Sequence, residues 1–143
     1  VPLNKLGSQS KEAAIKLDEV FESDAQILFF PAGLCSRKKK GKIVDLRWHK
    51  TFVAKAVKSN RDIIPVYIDG KNSNFFYNLS NFRTFLGIKA NIEMLYLADE
   101  MIKQKGQTIK IRFGKPFPCS KIDKTMNYNQ WAEFFKAKTY ELQ

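Results

Sequence analysis

Acids, cysteine and histidine are scarce in this 143-residue chain, and each scarcity narrows what the molecule can be. Two cysteines, Cys35 and Cys119, are too few for a disulfide framework and lack the paired spacing of a zinc site, so two idle or buried thiols in a reducing, cytoplasmic setting are expected. The one histidine, His49, has no serine or cysteine nucleophile placed beside it by the sequence, and a lone histidine on an amphipathic helix face is more often packed than catalytic. No G-x-S-x-G elbow, no phosphate-binding G-x-x-x-x-G-K-S/T loop and no metal-ligand cluster is present, which leaves the chain without a complete catalytic set of its own. No apolar window is long enough to cross a bilayer, and the N-terminus has no charged-then-apolar leader, so the reading is a soluble or peripheral protein. Acids number 14 against 25 lysines and arginines, a formal charge of +11. That imbalance favours polyanionic partners: nucleic acid, an acidic membrane surface or phosphorylated small molecules.

What is there fits one domain over residues 1–143, long enough to bury a core. The chain opens with Val1-Pro2 and no initiator methionine, consistent with a piece of something longer. Ser8 or Ser10 can cap a first helix that sets Ala13, Leu17, Val20 and Phe21 on one face and runs to about Glu22. The apolar run Gln26–Phe30, closed by Pro31, reads as a strand buried on both faces. Asp45 can cap a second helix from Leu46, with His49, Phe52, Val53 and Ala56 on its inner face. A second buried strand, "DIIPVYID", carries Pro65 and therefore needs a bulge or an unpaired side there.

A turn at Asn72–Asn74 leads to an aromatic helix with Phe75, Leu79, Phe82 and Leu86 in one stripe, Phe76 and Phe85 beside it and Gly87 as its stop. Core packing is the expected role of that stripe; contact with acyl chains or a bilayer is the other. Ala90–Lys103 is a less regular helix ended by Gly106. In "TIKIRFGKPF" an apolar face of Ile109, Ile111 and Phe113 alternates with Lys110 and Arg112, an edge strand with one buried side. A last helix, about residues 128–142, turns Trp131, Phe134 and Phe135 to one side.

The sharpest local feature is "FFPAGLCSRKKK", Phe29–Lys40. Pro31 and Gly33 permit a tight turn after the apolar run, so that Ser36, Arg37, Lys38, Lys39 and Lys40 can surround an anion at the sheet edge. Taken alone, such a run is a solvated charged loop.

Four blocks in order give it context. "LFFPAGLCSR" resembles the F-P-E-G-x-x-S-R block of the glycerolipid acyltransferases, which acylate glycerol phosphate and lysophospholipids. "WHKTFVAKAV" is similar to the helix that follows it, "DIIPVYIDG" to the later I-V-P-V block and "IKIRFGKPF" to the terminal strand. The resemblance implies an α/β fold with a mixed, mostly parallel sheet flanked by helices, glycerol-phosphate-acyltransferase-like and incomplete. It implies acyl transfer from a thioester donor, acyl-CoA or acyl-carrier protein, to a lysophospholipid, glycerol-phosphate or lyso-amino-acid lipid hydroxyl, with no cofactor and no metal. The family's H-x-x-x-x-D motif supplies the base, and it is absent; His49 cannot replace it, because the residue five positions on is Ala54. The chain therefore reads as the C-terminal portion of an acyltransferase domain, with no catalytic residue of its own.

By the same resemblance Phe30, Pro31, Gly33, Ser36 and Arg37 form the acceptor-binding block, to which the cationic run adds Lys38 and Lys39, and Ile64, Pro65 and Val66 form the later one. Ala32 stands where the family has glutamate and Cys35 where arginine is frequent; the F-P-A-G form resembles the hemolysin-like branch, which includes enzymes acylating lyso-ornithine and related amino-acid lipids. An anionic membrane surface is the implied setting, with the protein peripheral on its cytoplasmic face. The alternatives are a catalytically silent scaffold and a basic nucleic-acid-binding module; the latter rests on charge, aromatics and the edge strand, with no recognition signature.

Overall fold

Aromatic residues of two helices build the core in the computed structural model, which describes residues 11–143. Helix α1 (Lys11–Glu22) buries Ala13 and Phe21, as the spacing predicts; the proposed caps Ser8 and Ser10 lie outside the described residues. Asp18 on α1 bonds Lys55 and lies 3.5 Å from Lys58, both on α2 (Thr51–Lys58), and Lys55 holds the Asp18 carboxyl below its usual pKa. Arg61 donates to the carbonyls of Phe21, Ser23 and Ala25, satisfying acceptors that the end of α1 leaves open. Helix α2 buries Phe52, Val53 and Ala56, the first two against Trp131, Ala132 and Phe135 of α5 (Tyr128–Tyr140), with Trp48 completing the cluster. The Phe52 and Phe135 rings meet edge-on at 5.9 Å. Helix α5 starts at a reciprocal cap: Asn127 accepts from the Gln130 amide, and the Gln130 side chain accepts from the Asn127 amide.

The mixed helix-and-strand character holds, but the mostly parallel sheet does not. Among the described residues there are two small antiparallel ladders. Strands β1 (Arg37–Lys39) and β2 (Lys42–Val44) form a hairpin whose turn residues, Lys40 (φ 47°) and Gly41 (φ 78°), both take the left-handed conformation that suits a two-residue connection. Strand β3 (Val66–Asp69) pairs with β4 (Lys110–Phe113) in the register Val66–Phe113 to Asp69–Lys110. The bridge Ile63–Phe117 is offset from that register by one residue, so the second strand carries a bulge, and Pro65 sits in the break with its carbonyl accepting from Gly114. The proline's demand is met as expected.

Three expectations need correction. Gln26–Phe30 is an extended segment without a ladder, not a doubly buried strand: Ile27 and Phe29 turn inward, Phe29 against Phe21 and Phe52, while Leu28 and Phe30 stand outward at 67% and 65% exposure. A continuous apolar run is also what one covered face and one open face produce. For the same reason Ile109, Ile111 and Phe113 form an exposed face rather than a buried one, since no layer covers β4 on that side among the described residues. Helix α2 begins at Thr51, not Leu46, and His49 is exposed ahead of it; Asp45, its proposed cap, is engaged elsewhere.

Helix α3 (Asn74–Phe85) runs where predicted, capped by Ser73 and stopped at Gly87 (φ 71°), but its faces are exchanged. Phe76, Tyr77, Ser80 and Arg83 are buried, and Phe75, Phe82, Phe85 and Leu86 are exposed. The cause is Glu93, in a 3-10 turn (Ile92–Tyr96) that leads into α4 (Leu97–Lys103). Glu93 is fully buried and accepts from Arg83 Nε (2.5 Å) and Nη2 (3.0 Å), Arg37 Nη2 (2.9 Å) and Ser80 Oγ (3.3 Å). One carboxylate thus joins α3, the 3-10 turn and β1. Burial alone would raise its pKa; the hydrogen bonds and charges, Arg83 foremost and then Arg37, hold it below the ordinary 4.5.

Removing the charge leaves two buried guanidinium groups facing a neutral partner, so Glu93→Gln is expected to lose about 3–5 kcal/mol of stability, read by chemical denaturation. Because the folded-state pKa is depressed, the carboxylate's contribution is complete above the unfolded value and fades as pH falls through the folded one. Denaturation midpoints should accordingly drop with acid below about pH 4.5 in the wild type and less steeply in Glu93→Gln; parallel acid profiles would refute the assignment.

Candidate functional site

A cleft of about 260 Å³ opens where β1 meets α3. Arg37, Lys39 and Arg83 supply its cations, Ser80, Asn81, Thr84 and Asn91 its other polar groups, and Leu34 and Leu46 an apolar wall. The chain positions these groups firmly. Arg37 donates to the carbonyls of Cys35 (2.8 Å) and Ser36 (3.3 Å) besides Glu93, and Arg83 donates to the Ile88 carbonyl (3.0 Å) and the Asn91 side chain. Asn81 donates to the Lys38 carbonyl and Lys38 to the Asn74 side chain, each at 3.1 Å, which seats the hairpin on α3. Lys39 is exposed and has no partner among the described residues, so it is the mobile cation beside two fixed ones. Three cations surround one carboxylate, and an anion entering the cleft meets excess positive charge at low orientational cost.

The predicted acceptor block is partly assembled here. Gly33 makes the foreseen tight turn, with φ 67° and its amide donating to Phe30 at 3.1 Å; open space surrounds the position a Cβ would take, so the dihedral rather than crowding calls for glycine. Pro31 accepts from the His49 amide at 3.0 Å. Arg37 and Lys39 line the cleft, Lys38 braces the hairpin and Phe30 points outward. Ser36 does not face outward as expected: its hydroxyl donates to Asp45 at 2.5 Å. No strand end delivers the block, because Gln26–Phe30 is unpaired.

Asp45 is the second organiser of the site. Its carboxylate accepts from Ser36 and from the Trp48 indole (3.1 Å), its amide donates to the Tyr140 hydroxyl (2.8 Å) and its carbonyl accepts from Lys136 (3.1 Å). The Tyr140 ring also meets Tyr67 of β3 at 6.3 Å, so α5 ties the basic block to the strand carrying Val66. Ile64, Pro65 and Val66 do not line the cleft; Ile64 is exposed and the other two half-buried. Burial pushes the Tyr140 hydroxyl up, as it does the Cys119 thiol, which stays protonated and unreactive at neutral pH.

The sequence reading missed Glu93, Arg83, Asn81 and the bracing role of Asp45. The one available signal was Arg83, the single charged residue of the helix, three residues after Ser80. His49 is exposed, and its ring has no hydrogen-bond partner among the described residues, so no oriented base is formed there. No cluster of metal-binding side chains occurs among the described residues.

Comparison with known proteins places this geometry. A family model described as "Acyltransferase" matches residues 1–143. The chain is 50% identical over 142 residues to a lyso-glycine lipid O-acyltransferase of Phocaeicola vulgatus, covering 99% of this chain and 51% of that protein. It is 50% identical over 142 residues to a protein of the same name in Bacteroides thetaiotaomicron, covering 99% and 52%. The chain thus spans about half the length of these relatives. No solved structure matches. The nucleic-acid alternative keeps only its argument from composition, and the extent of the family match is decisive: this chain belongs to the acyltransferase family.

Proposed function

We propose that these residues carry the acceptor-binding portion of an enzyme that moves a fatty acyl group from a thioester donor, acyl-CoA or acyl-carrier protein, to the hydroxyl of a lyso-amino-acid lipid. The observation that carries the reading is the cationic cleft at the family block, where Arg37 and Arg83 are fixed around Glu93 and Lys39 is free. An amino acid held to its lipid through the amine keeps a carboxylate, a compact anion suited to that cluster. The two relatives are named for a lyso-glycine lipid, which fits the same chemistry.

Ala32, at the family's glutamate position, packs against the aromatic core and does not line the cleft. The carboxylate held in the cleft would fix the lipid's hydroxyl in one direction, and a base must then remove its proton as the thioester carbonyl is attacked. His49 lacks an orienting partner, so the base and its carboxylate belong to the part of the protein that precedes these residues. The reading places the whole enzyme at the cytoplasmic face of an anionic membrane, where its acceptor resides.

Incubating the full-length enzyme with an acyl thioester and a panel of lysolipids tests the proposal by mass spectrometry of the products. Acylation of lyso-amino-acid lipids is expected, and turnover confined to acceptors without an anionic head group would overturn the cleft assignment. Residues 1–143 alone should yield no acylated product. Lys39→Ala should raise KM for the anionic acceptor by roughly tenfold, the loss of one charge-assisted contact, with little change in kcat or in melting temperature. An unchanged KM would remove Lys39 from the site.

A further inference from the structure

The outward stripe of α3 has more apolar surface than an ordinary exposed helix face. Phe75, Phe82, Phe85 and Leu86 are 51%, 60%, 85% and 52% exposed, and Leu95 of the adjoining 3-10 turn is 83% exposed. Tyr96 extends the patch, its ring meeting Phe75 edge-on at 5.0 Å. Contiguous exposed aromatics of this kind mark an interaction surface.

Charge identifies the partner. Residues 36–44 and 70–98 contain a single acid, Glu93, and it is buried between Arg83 and Arg37. The hairpin contributes Lys38, Lys39, Lys40 and Lys42, and Lys71 and Lys89 flank the helix. The hairpin lies beside the stripe: Lys38 bonds Asn74 and Asn81 on one side of α3, and Phe85, four residues after Asn81, continues that side into Phe82. Exposed acids, Asp69 and Asp99, lie only at the ends of this region, and an apolar aromatic stripe rimmed mainly by lysines complements a bilayer carrying anionic lipids. A second copy of this chain would bring lysines against lysines.

We propose that the outer face of α3, together with the 3-10 turn and the β1–β2 hairpin, docks on an anionic lipid bilayer, with Phe82 and Phe85 entering the interface and the lysines contacting head groups. This orients the cleft, which lies between the same hairpin and helix, toward the membrane. The surface does not depend on which acceptor is used: docking without the proposed acyl transfer would leave it standing, and acyl transfer without docking would overturn it alone.

The test uses the full-length protein with an environment-sensitive fluorophore on a cysteine replacing Phe85, and a second sample labelled in place of Phe113 on β4. Vesicles of phosphatidylcholine, with or without phosphatidylglycerol, carry brominated acyl chains as quenchers. Quenching at position 85 but not at 113, weakened by high salt, is expected. Phe82→Ser and Lys42→Glu should each reduce vesicle affinity by roughly fivefold, the scale of one interfacial cation or ring. If the label at 85 is shielded from aqueous iodide before vesicles are added, another part of the protein or a second copy covers the face and the proposal fails. It fails equally if the label at 85 stays open to iodide in the presence of vesicles.

Discussion

A carboxylate cut off from water decides the arrangement of this molecule. Glu93 accepts hydrogen bonds from two arginines and a serine, and those donors come from α3 and β1, which are far apart in sequence. A buried ion pair is weak evidence of net stabilisation, because desolvation offsets much of its attraction. It is much stronger evidence of specificity: with Glu93 in place, the only low-energy placement of Arg83 is inward, and α3 must rotate to provide it. The apolar side of the helix is then left facing out. An exposed aromatic face and a cationic cleft are two consequences of a single buried charge.

The second constraint is Asp45, which contributes side chain, amide and carbonyl to different partners. Through Tyr140 it fixes the basic block relative to α5, and α5 in turn carries the aromatic core. The block that looks in sequence like a flexible cationic loop is thereby braced at both ends, by Glu93 beneath Arg37 and by Asp45 beneath Ser36. Rigidity there matters because a binding group that is already ordered loses less entropy when its ligand arrives. Of the three cations lining the cleft, only Lys39 has no side-chain partner among the described residues, which would suit a charge that follows the proposed head group into the cleft.

Placement of the cleft between hairpin and helix has a consequence for substrate access. The family block and the apolar stripe share the Lys38–Asn74 and Lys38–Asn81 contacts, so any motion that lifts the hairpin from α3 alters both. If the outer face of α3 docks as proposed, a lipid acceptor would have a path of lysines and exposed rings from bilayer to cleft, without its tail crossing open water.

The elements legible in the sequence were those governed by local rules. Gly87 and Gly106 end their segments and Pro65 interrupts its ladder, because dihedral freedom and a missing amide act within a few residues. The faces were not legible. Periodicity places Phe75, Phe82 and Leu86 on one side of α3 but cannot say which side is inward when the opposite side carries an arginine whose partner lies ten residues downstream. Likewise "QILFF" records that apolar residues are adjacent, whereas burial on both sides depends on neighbours that no local pattern specifies. The site divides the same way: Gly33 and the cations of the hairpin follow from the quoted block, while Arg83, Asn81 and Glu93 enter only through tertiary pairing. A lone charged residue in a helix is therefore informative about long-range structure, because burying it requires a partner from elsewhere, and in α3 that residue is Arg83.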